Sequence, residues 1–295
     1  MSFTFPANFG DNSFYFSNIA TDHLINDYIE DKILKTNKEE LLHNIQHICS
    51  NKALLKKLFF KAISRQNSEI ILTLLNANKI DVNDSDNHGI TIFMKTILQM
   101  GNSVDEWDLE IIKVILDRTQ NIDAQDDLGN TALMKTKNYC IALKLINNGA
   151  SLSIRNAAGQ TPLLVAAKNG LDDLIDLYID RGASILDVDN DGWTALMLAA
   201  HIDNNISTIK KLLPYSLKII NYQNEIGLTA LKIAIFNKNR AAMIKLLKNG
   251  AFFNDAENMD VSELNLRNIE IIESRSNTQR IFTIVWKEEK NSFYF

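Results

Sequence analysis

Apolar residues in the middle of the chain recur three and four positions apart in short runs, and polar loops separate the runs. Ala142, Leu145 and Ile146 follow this spacing, as do Met243, Leu246 and Leu247, and it places them on one face of a helix. Five loops share one pattern of glycine, any residue, threonine and an apolar helix start: Gly89-Ile-Thr, Gly129-Asn-Thr, Gly159-Gln-Thr, Gly192-Trp-Thr and Gly227-Leu-Thr. The glycines are 129-89 = 40, 159-129 = 30, 192-159 = 33 and 227-192 = 35 residues apart, a spacing that predicts two short helices per repeat. Gly-Ala pairs at Gly149, Gly182 and Gly250 follow apolar runs and read as helix C-caps. In the third copy, Thr161 caps a helix and Pro162 enters its first turn, where a missing N–H costs nothing.

At this point the chain resembles the ankyrin-repeat family. The match rests on Asp-x-x-Gly-x-Thr-Ala/Pro-Leu at the start of a repeat and Leu-x-x-Gly-Ala at its end, best seen from Asn156 to Val188. The resemblance implies an all-α solenoid of stacked helix-turn-helix repeats with hairpin loops, in which neighbours must stack because one helix pair cannot bury its own apolar face. Copies fall at 86–125, 126–155, 156–188, 189–223 and 224–254, together 86–254, and 58–85 is a degenerate first repeat. Residues 1–57 are expected to be an N-terminal extension with a helical cap, helical from 22 to 64, and 255–295 a C-terminal cap. That cap reads as a helix from Ser262 to Ser274, on the spacing of Leu264, Leu266, Ile269 and Ile272, followed by a β-prone run from Arg280 to Trp286. The histidine the family carries after Thr-Pro-Leu is replaced by Met94, Met134, Leu164, Met197 and Lys232. Irregular spots are predicted at Gly101 to Asp108, between Thr136 and Ile141, and from Pro214 to Ile220.

Composition excludes several classes. Lys and Arg number 31 against 36 Asp and Glu, a net charge of -5, so there is no cationic surplus to neutralise a row of phosphates and nucleic acid is not the expected partner. Two cysteines, Cys49 and Cys140, do not make a disulfide framework. No apolar stretch is long enough to span a bilayer, and the first basic residue is Lys32, so a cleaved signal peptide is not expected.

Apparent chemical motifs fail. Asp187-Val-Asp-Asn-Asp-Gly192 resembles the start of a calcium loop, but Leu198 stands where a bidentate Glu is needed. His43 and His47 are four apart without the Glu or further ligands a zinc site requires. His23, His88 and His201 have no carboxylate or thiol partner at motif spacing, and neither a nucleophile elbow nor a phosphate loop is present. The reading is non-enzymatic, without cofactor or metal.

What the resemblance implies is a protein partner on the concave face formed by hairpin tips and inner helices. The residues after the hairpin glycines are Ile90, Asn130, Gln160, Trp193 and Leu228, and those before them are His88, Leu128, Ala158, Asp191 and Ile226. Inner-helix ends add Tyr139, His201 and Phe236. The candidate partner-binding set is His88, Ile90, Leu128, Tyr139, Asp191, Trp193, His201, Ile226, Leu228 and Phe236, with Trp193 and Leu228 as exposed anchors. The alternative, that Trp193, Ile226 and Leu228 pack on neighbouring hairpins or under a terminal extension, stays open.

The N-terminus holds an aromatic stretch from Phe3 to Phe16, and Asn12-Ser-Phe-Tyr-Phe16 recurs as Asn291-Ser-Phe-Tyr-Phe295. Degenerate repeats, unusual termini and an Asn-, Lys- and Ile-rich composition look similar to host-directed ankyrin effectors of intracellular bacteria. That likeness implies a monomeric, cytoplasmic protein delivered into a host cell without a cleaved signal and acting on a host protein. A different class, an enzyme or inhibitor whose active segment lies in a terminal extension, is the alternative.

Overall fold

The computed structural model describes residues 52–100, 105–202, 205–252, 269–276 and 279–286. The chain divides between Ala124 and Gln125 into two compact units.

The first unit contains α1 (Lys52–Ser64), α2 (Ser68–Asn76), α3 (Ile92–Met100) and α4 (Glu106–Leu116). α1 packs against α2 and α3, and α2 against α4, around Leu58, Phe59, Leu74, Met94 and Ile112. The degenerate repeat is a complete helix pair, and its first helix straddles the expected 57/58 boundary. Asn67 caps α2 by accepting the Ile70 N–H at 3.1 Å. Asp105 and Asp108 form a reciprocal capping box that starts α4, at the end of the predicted irregular stretch.

The second unit begins with α5 (Ala132–Lys135) and α6 (Tyr139–Asn147), then α7 (Pro162–Asn169) and α8 (Asp172–Asp180). α9 (Ala195–His201) and α10 (Ile206–Ser216), the latter extended by a 3-10 turn at Leu217–Ile219, precede α11 (Ala230–Phe236) and α12 (Arg240–Lys248). Inner helices α5, α7, α9 and α11 stack in order, and outer helices α6, α8, α10 and α12 form a second layer. α9 shows why stacking is obligatory: Ala195 through Ala200 are all buried, because α7, α10 and α11 surround the helix.

The same side chains recur at each junction. In every copy the loop threonine (Thr91, Thr131, Thr161, Thr194 or Thr229) accepts the N–H three residues on, which answers one of the N–H groups a helix start leaves unpaired. Each Gly-Ala pair closes its outer helix by the same two bonds. After α8, for example, Gly182 N–H reaches Ile179 O at 3.0 Å and Ala183 N–H reaches Tyr178 O at 2.9 Å.

Three of the described turns between inner and outer helices use one left-handed residue. Gly170 fills that place in one repeat, but Gln66 and Lys238 fill it in others, at φ 55° and 54°. A side chain there strains the backbone, so Lys238→Gly should raise stability by about 0.5–1 kcal/mol. Urea denaturation checks this, and an unchanged or lower midpoint would contradict it.

The missing histidine is replaced by packing. Met94, Met134, Leu164 and Met197 are buried, and Lys232 donates from Nζ to Gly227 O at 2.8 Å within its own hairpin. The predicted irregularities at Thr136 to Ile141 and Pro214 to Ile220 are present. α5 has one turn, and α10 carries Pro214 and runs into a 3-10 turn instead of a Gly-Ala stop.

The expected helix from Ser262 to Ser274 is corrected. Ile269–Ser276 is strand β1, paired antiparallel with β2 (Gln279–Trp286) from Ile269↔Trp286 to Ser276↔Gln279. The β-branched and aromatic run Ile281-Phe-Thr-Ile-Val-Trp286 supplies a partner strand, and pairing overrides a helical spacing read over a few residues. Residues 262–268, the aromatic N-terminus, residues 22–51 with His23, His43, His47 and Cys49, and both Asn-Ser-Phe-Tyr-Phe segments lie outside the described residues.

Candidate partner-binding face

The hairpins are built around one Asx side chain each. Asp126 accepts the N–H groups of Leu128 and Asn130, Asn156 those of Ala158 and Gln160, and Asp189 those of Asp191 and Trp193. Asn224 repeats the bond with Leu228, and Asp86 forms the same loop in the first unit. Asp187 pairs with Arg155 at 2.7 Å, so the acidic residues that resemble a calcium loop are occupied in building hairpins. No group of three or more His, Cys, Asp or Glu side chains among the described residues could hold a metal.

Successive hairpins of the second unit are stitched together. Ala157 N–H donates to Leu128 O at 2.9 Å, Asn190 N–H to Ala158 O at 3.0 Å, and Asn224 Nδ2 to Asp191 O at 3.2 Å. These bonds join Leu128, Asp191 and the Ile226 loop into one edge. His88, exposed, and Ile90, half-buried, belong to the first unit; the other eight candidates lie in the second.

Their exposure separates them. Ile226 (76%), Leu128 (66%) and Phe236 (61%) are strongly exposed. Trp193 and Leu228, expected as exposed anchors, are only half-buried surfaces. The Trp193 ring meets His201 edge-on at 5.4 Å, and the backbone N–H of each is held by its hairpin Asx residue. Asp191 and His201 are exposed. The Asn237 amide donates to His201 O at 2.8 Å and lies 3.1 Å from His201 Nδ1, tying the C-terminal ends of α9 and α11 together beside Phe236. Tyr139 is corrected: α5 stops at Lys135, so Tyr139 opens outer helix α6 rather than ending an inner helix.

Asp126 links this edge to the core. Burial pushes its carboxyl up, but the Lys135 ammonium and the Asn130 and Leu128 N–H groups outweigh that and hold it below the usual carboxylate range. Tyr178 stitches the helices beneath: its buried hydroxyl donates to Leu133 O at 3.1 Å, and burial raises the phenol's pKa.

Sequence reasoning missed other exposed apolar groups. Trp107 flanks a groove of about 720 Å³ in the first unit with Ser68, Glu69, Leu72, Thr73, Asn76 and Ala77. In the second unit, Tyr215 in α10, Leu217 in its 3-10 turn and Phe252 after α12 are exposed. Leu217 was findable, because it stands ten residues before Gly227 (227-217 = 10), where Gly182 stands before Gly192 (192-182 = 10).

The family model described as ankyrin repeats, in three copies, matches residues 130–221 and 163–257. Residues 130–257 of the chain carry ankyrin repeats. An ankyrin repeat protein of variola virus is 30% identical over 196 residues, 65% of this chain and 33% of that protein. A glycerophosphocholine phosphodiesterase of Schizosaccharomyces pombe is 34% identical over 98 residues, 32% of this chain and 8% of its own length. The chain therefore spans a third or less of these relatives. A chain from the solved complex of a predatory endopeptidase from Bdellovibrio bacteriovorus with an immunity protein aligns with TM-score 0.55 and 26% identity, over 65% of this chain and 97% of that one. Ankyrin repeats imply a protein–protein interaction module, in a family that is generally non-enzymatic. No helix among the described residues is long and apolar enough to cross a membrane.

Proposed function

We propose that this ankyrin protein is a non-enzymatic adaptor that holds a folded protein partner on the inner-helix and hairpin face of its second unit. The observation that carries the reading is the row of large apolar side chains left exposed there, Leu128, Ile226 and Phe236, beside the Trp193–His201 pair. Apolar groups gathered along one exposed edge mark contact surfaces more often than single scattered ones do. Hydrogen-bonded hairpins keep the surface preorganised, so little conformational entropy is lost on binding. Asp191 and His201 lie among the apolar groups and supply polar contacts. The partner we favour is a eukaryotic host protein, with the chain acting as a monomeric bacterial effector in the host cytoplasm; the likeness of the sequence to such effectors supports this. Activity residing in a terminal extension is the competing reading.

The test uses Ile226→Asp together with Phe236→Asp, because both side chains are mostly solvent-exposed. Affinity capture from eukaryotic cytosol should give a partner that is lost, by more than about tenfold, in the variant, while far-UV dichroism and melting stay unchanged. A partner retained by the folded variant would overturn the assignment of this face.

A further inference from the structure

The chain is acidic overall, with a net charge of -5, yet two neighbouring outer helices of the second unit, α10 and α12, are not. Residues 205–223, which include α10 and its 3-10 turn, carry Lys210, Lys211 and Lys218 and no acidic residue. Residues 237–252, which include α12, carry Lys238, Arg240, Lys245 and Lys248, again with no acidic residue. α10 and α12 pack side by side as outer helices. Their buried positions, Ile209, Leu212, Leu213, Ala242, Met243 and Leu246, face the core, which leaves the cations on the solvent rows. The basic region ends where Lys211 pairs with Asp176 of the acidic helix α8.

Exposed apolar groups accompany these cations. Tyr215 and Leu217 at the end of α10, and Phe252 after α12, are 48%, 50% and 51% exposed. The Asn221 side chain holds the two ends together, donating to Gly250 O at 3.1 Å and accepting the Phe252 N–H at 2.9 Å.

We propose that this outer-helix side docks peripherally on an anionic lipid bilayer, with the cations over the headgroups and Tyr215, Leu217 and Phe252 entering the interface. Basic clusters are drawn to the negative surface potential of anionic leaflets, and neighbouring aromatic and leucine side chains add apolar burial at headgroup depth. Six of the seven cations are lysines, mobile point charges rather than the planar forks suited to one fixed carboxylate. The exposed Tyr215, Leu217 and Phe252 beside them match the mixed charged and apolar interfacial region of an anionic leaflet. Apart from Lys238, in the turn after Phe236, the cations lie on or just after the outer helices, and none belongs to the hairpins that carry Leu128, Asp191 and Ile226.

The full chain should sediment with phosphatidylcholine vesicles that contain phosphatidylserine, and neither with neutral phosphatidylcholine vesicles nor at high salt. Lys210→Glu, Lys218→Glu and Arg240→Glu together should weaken vesicle binding by about a hundredfold, and the corresponding Gln variants by less. Leu217→Ser with Phe252→Ser should weaken it while leaving the salt dependence in place. Far-UV dichroism establishes that each variant is folded. Equal sedimentation with neutral vesicles, or wild-type binding by the folded charge variant, would overturn the proposal. So would capture of polyglutamate through these lysines without vesicle binding, which would assign the face to an acidic polypeptide.

Discussion

Replacing Gly129 with alanine should destabilise the second unit by about 3 kcal/mol, whereas the same change at Gly227 should cost about 1 kcal/mol. Both residues occupy the left-handed region, at φ 74° and 75°, so both substitutions bring the same backbone strain. The surroundings differ. A Cβ on Gly129 would lie 2.8 Å from Ala157 N and 2.9 Å from Asn156 Cα, backbone atoms of the next hairpin, whereas one on Gly227 meets nothing within 4 Å. The extra cost arises because the stacked hairpin must move, and its Ala157 N–H···O Leu128 bond with it. Urea denaturation followed by far-UV dichroism measures both changes. Equal costs at the two sites would contradict the close stacking of the second and third hairpins.

Asp126→Asn should lower stability by about 2 kcal/mol at neutral pH, and the loss should shrink steadily as pH falls below the usual carboxylate range. Asparagine already serves as the hairpin acceptor at Asn156 and Asn224, so the substitution keeps the loop and removes the charge. What is lost is the ion pair with Lys135, whose side chains are only 13% and 4% exposed for Lys135 and Asp126, out of reach of most solvent screening. The sign follows from the lowered carboxyl pKa. A group whose folded pKa lies below its unfolded value, about 3.9 for Asp, stabilises fully above the unfolded value. That contribution fades as pH falls through the folded value. Wild type should therefore converge on the variant at acid pH. A constant difference across pH would show that Lys135 does not stabilise the ionised form.

The repeat was legible because its signals are local. Thr161 and Pro162 start a helix, and Gly182-Ala183 stops one, through bonds within a few residues. The C-terminal strands were half legible. Arg280 to Trp286 showed β composition, but Ile269 to Ser274 satisfied a helical spacing by accident, and only the pairing partner decides between the two. The left-handed Lys238 was invisible because no propensity marks a lysine for that conformation.

For the site, sequence gave position in the hairpin but not solvent exposure. Ile226 and Leu228 flank the same glycine, yet Leu228 is half-buried while Ile226 projects. Trp193 looked like an anchor because of its size, but its edge-on contact with His201 depends on how α9 follows the hairpin. Tyr139 was misplaced because α5 is cut to one turn, so counting along the repeat overran into the outer helix.

Hydrogen–deuterium exchange of the chain with and without its captured partner tests the central claim most directly. The predicted result is slowed exchange around Leu128, Asp191 and Ile226 and at the end of α11, with outer helices α6, α8, α10 and α12 unaffected. Slowing confined to those outer helices, with the hairpins unchanged, would contradict the account.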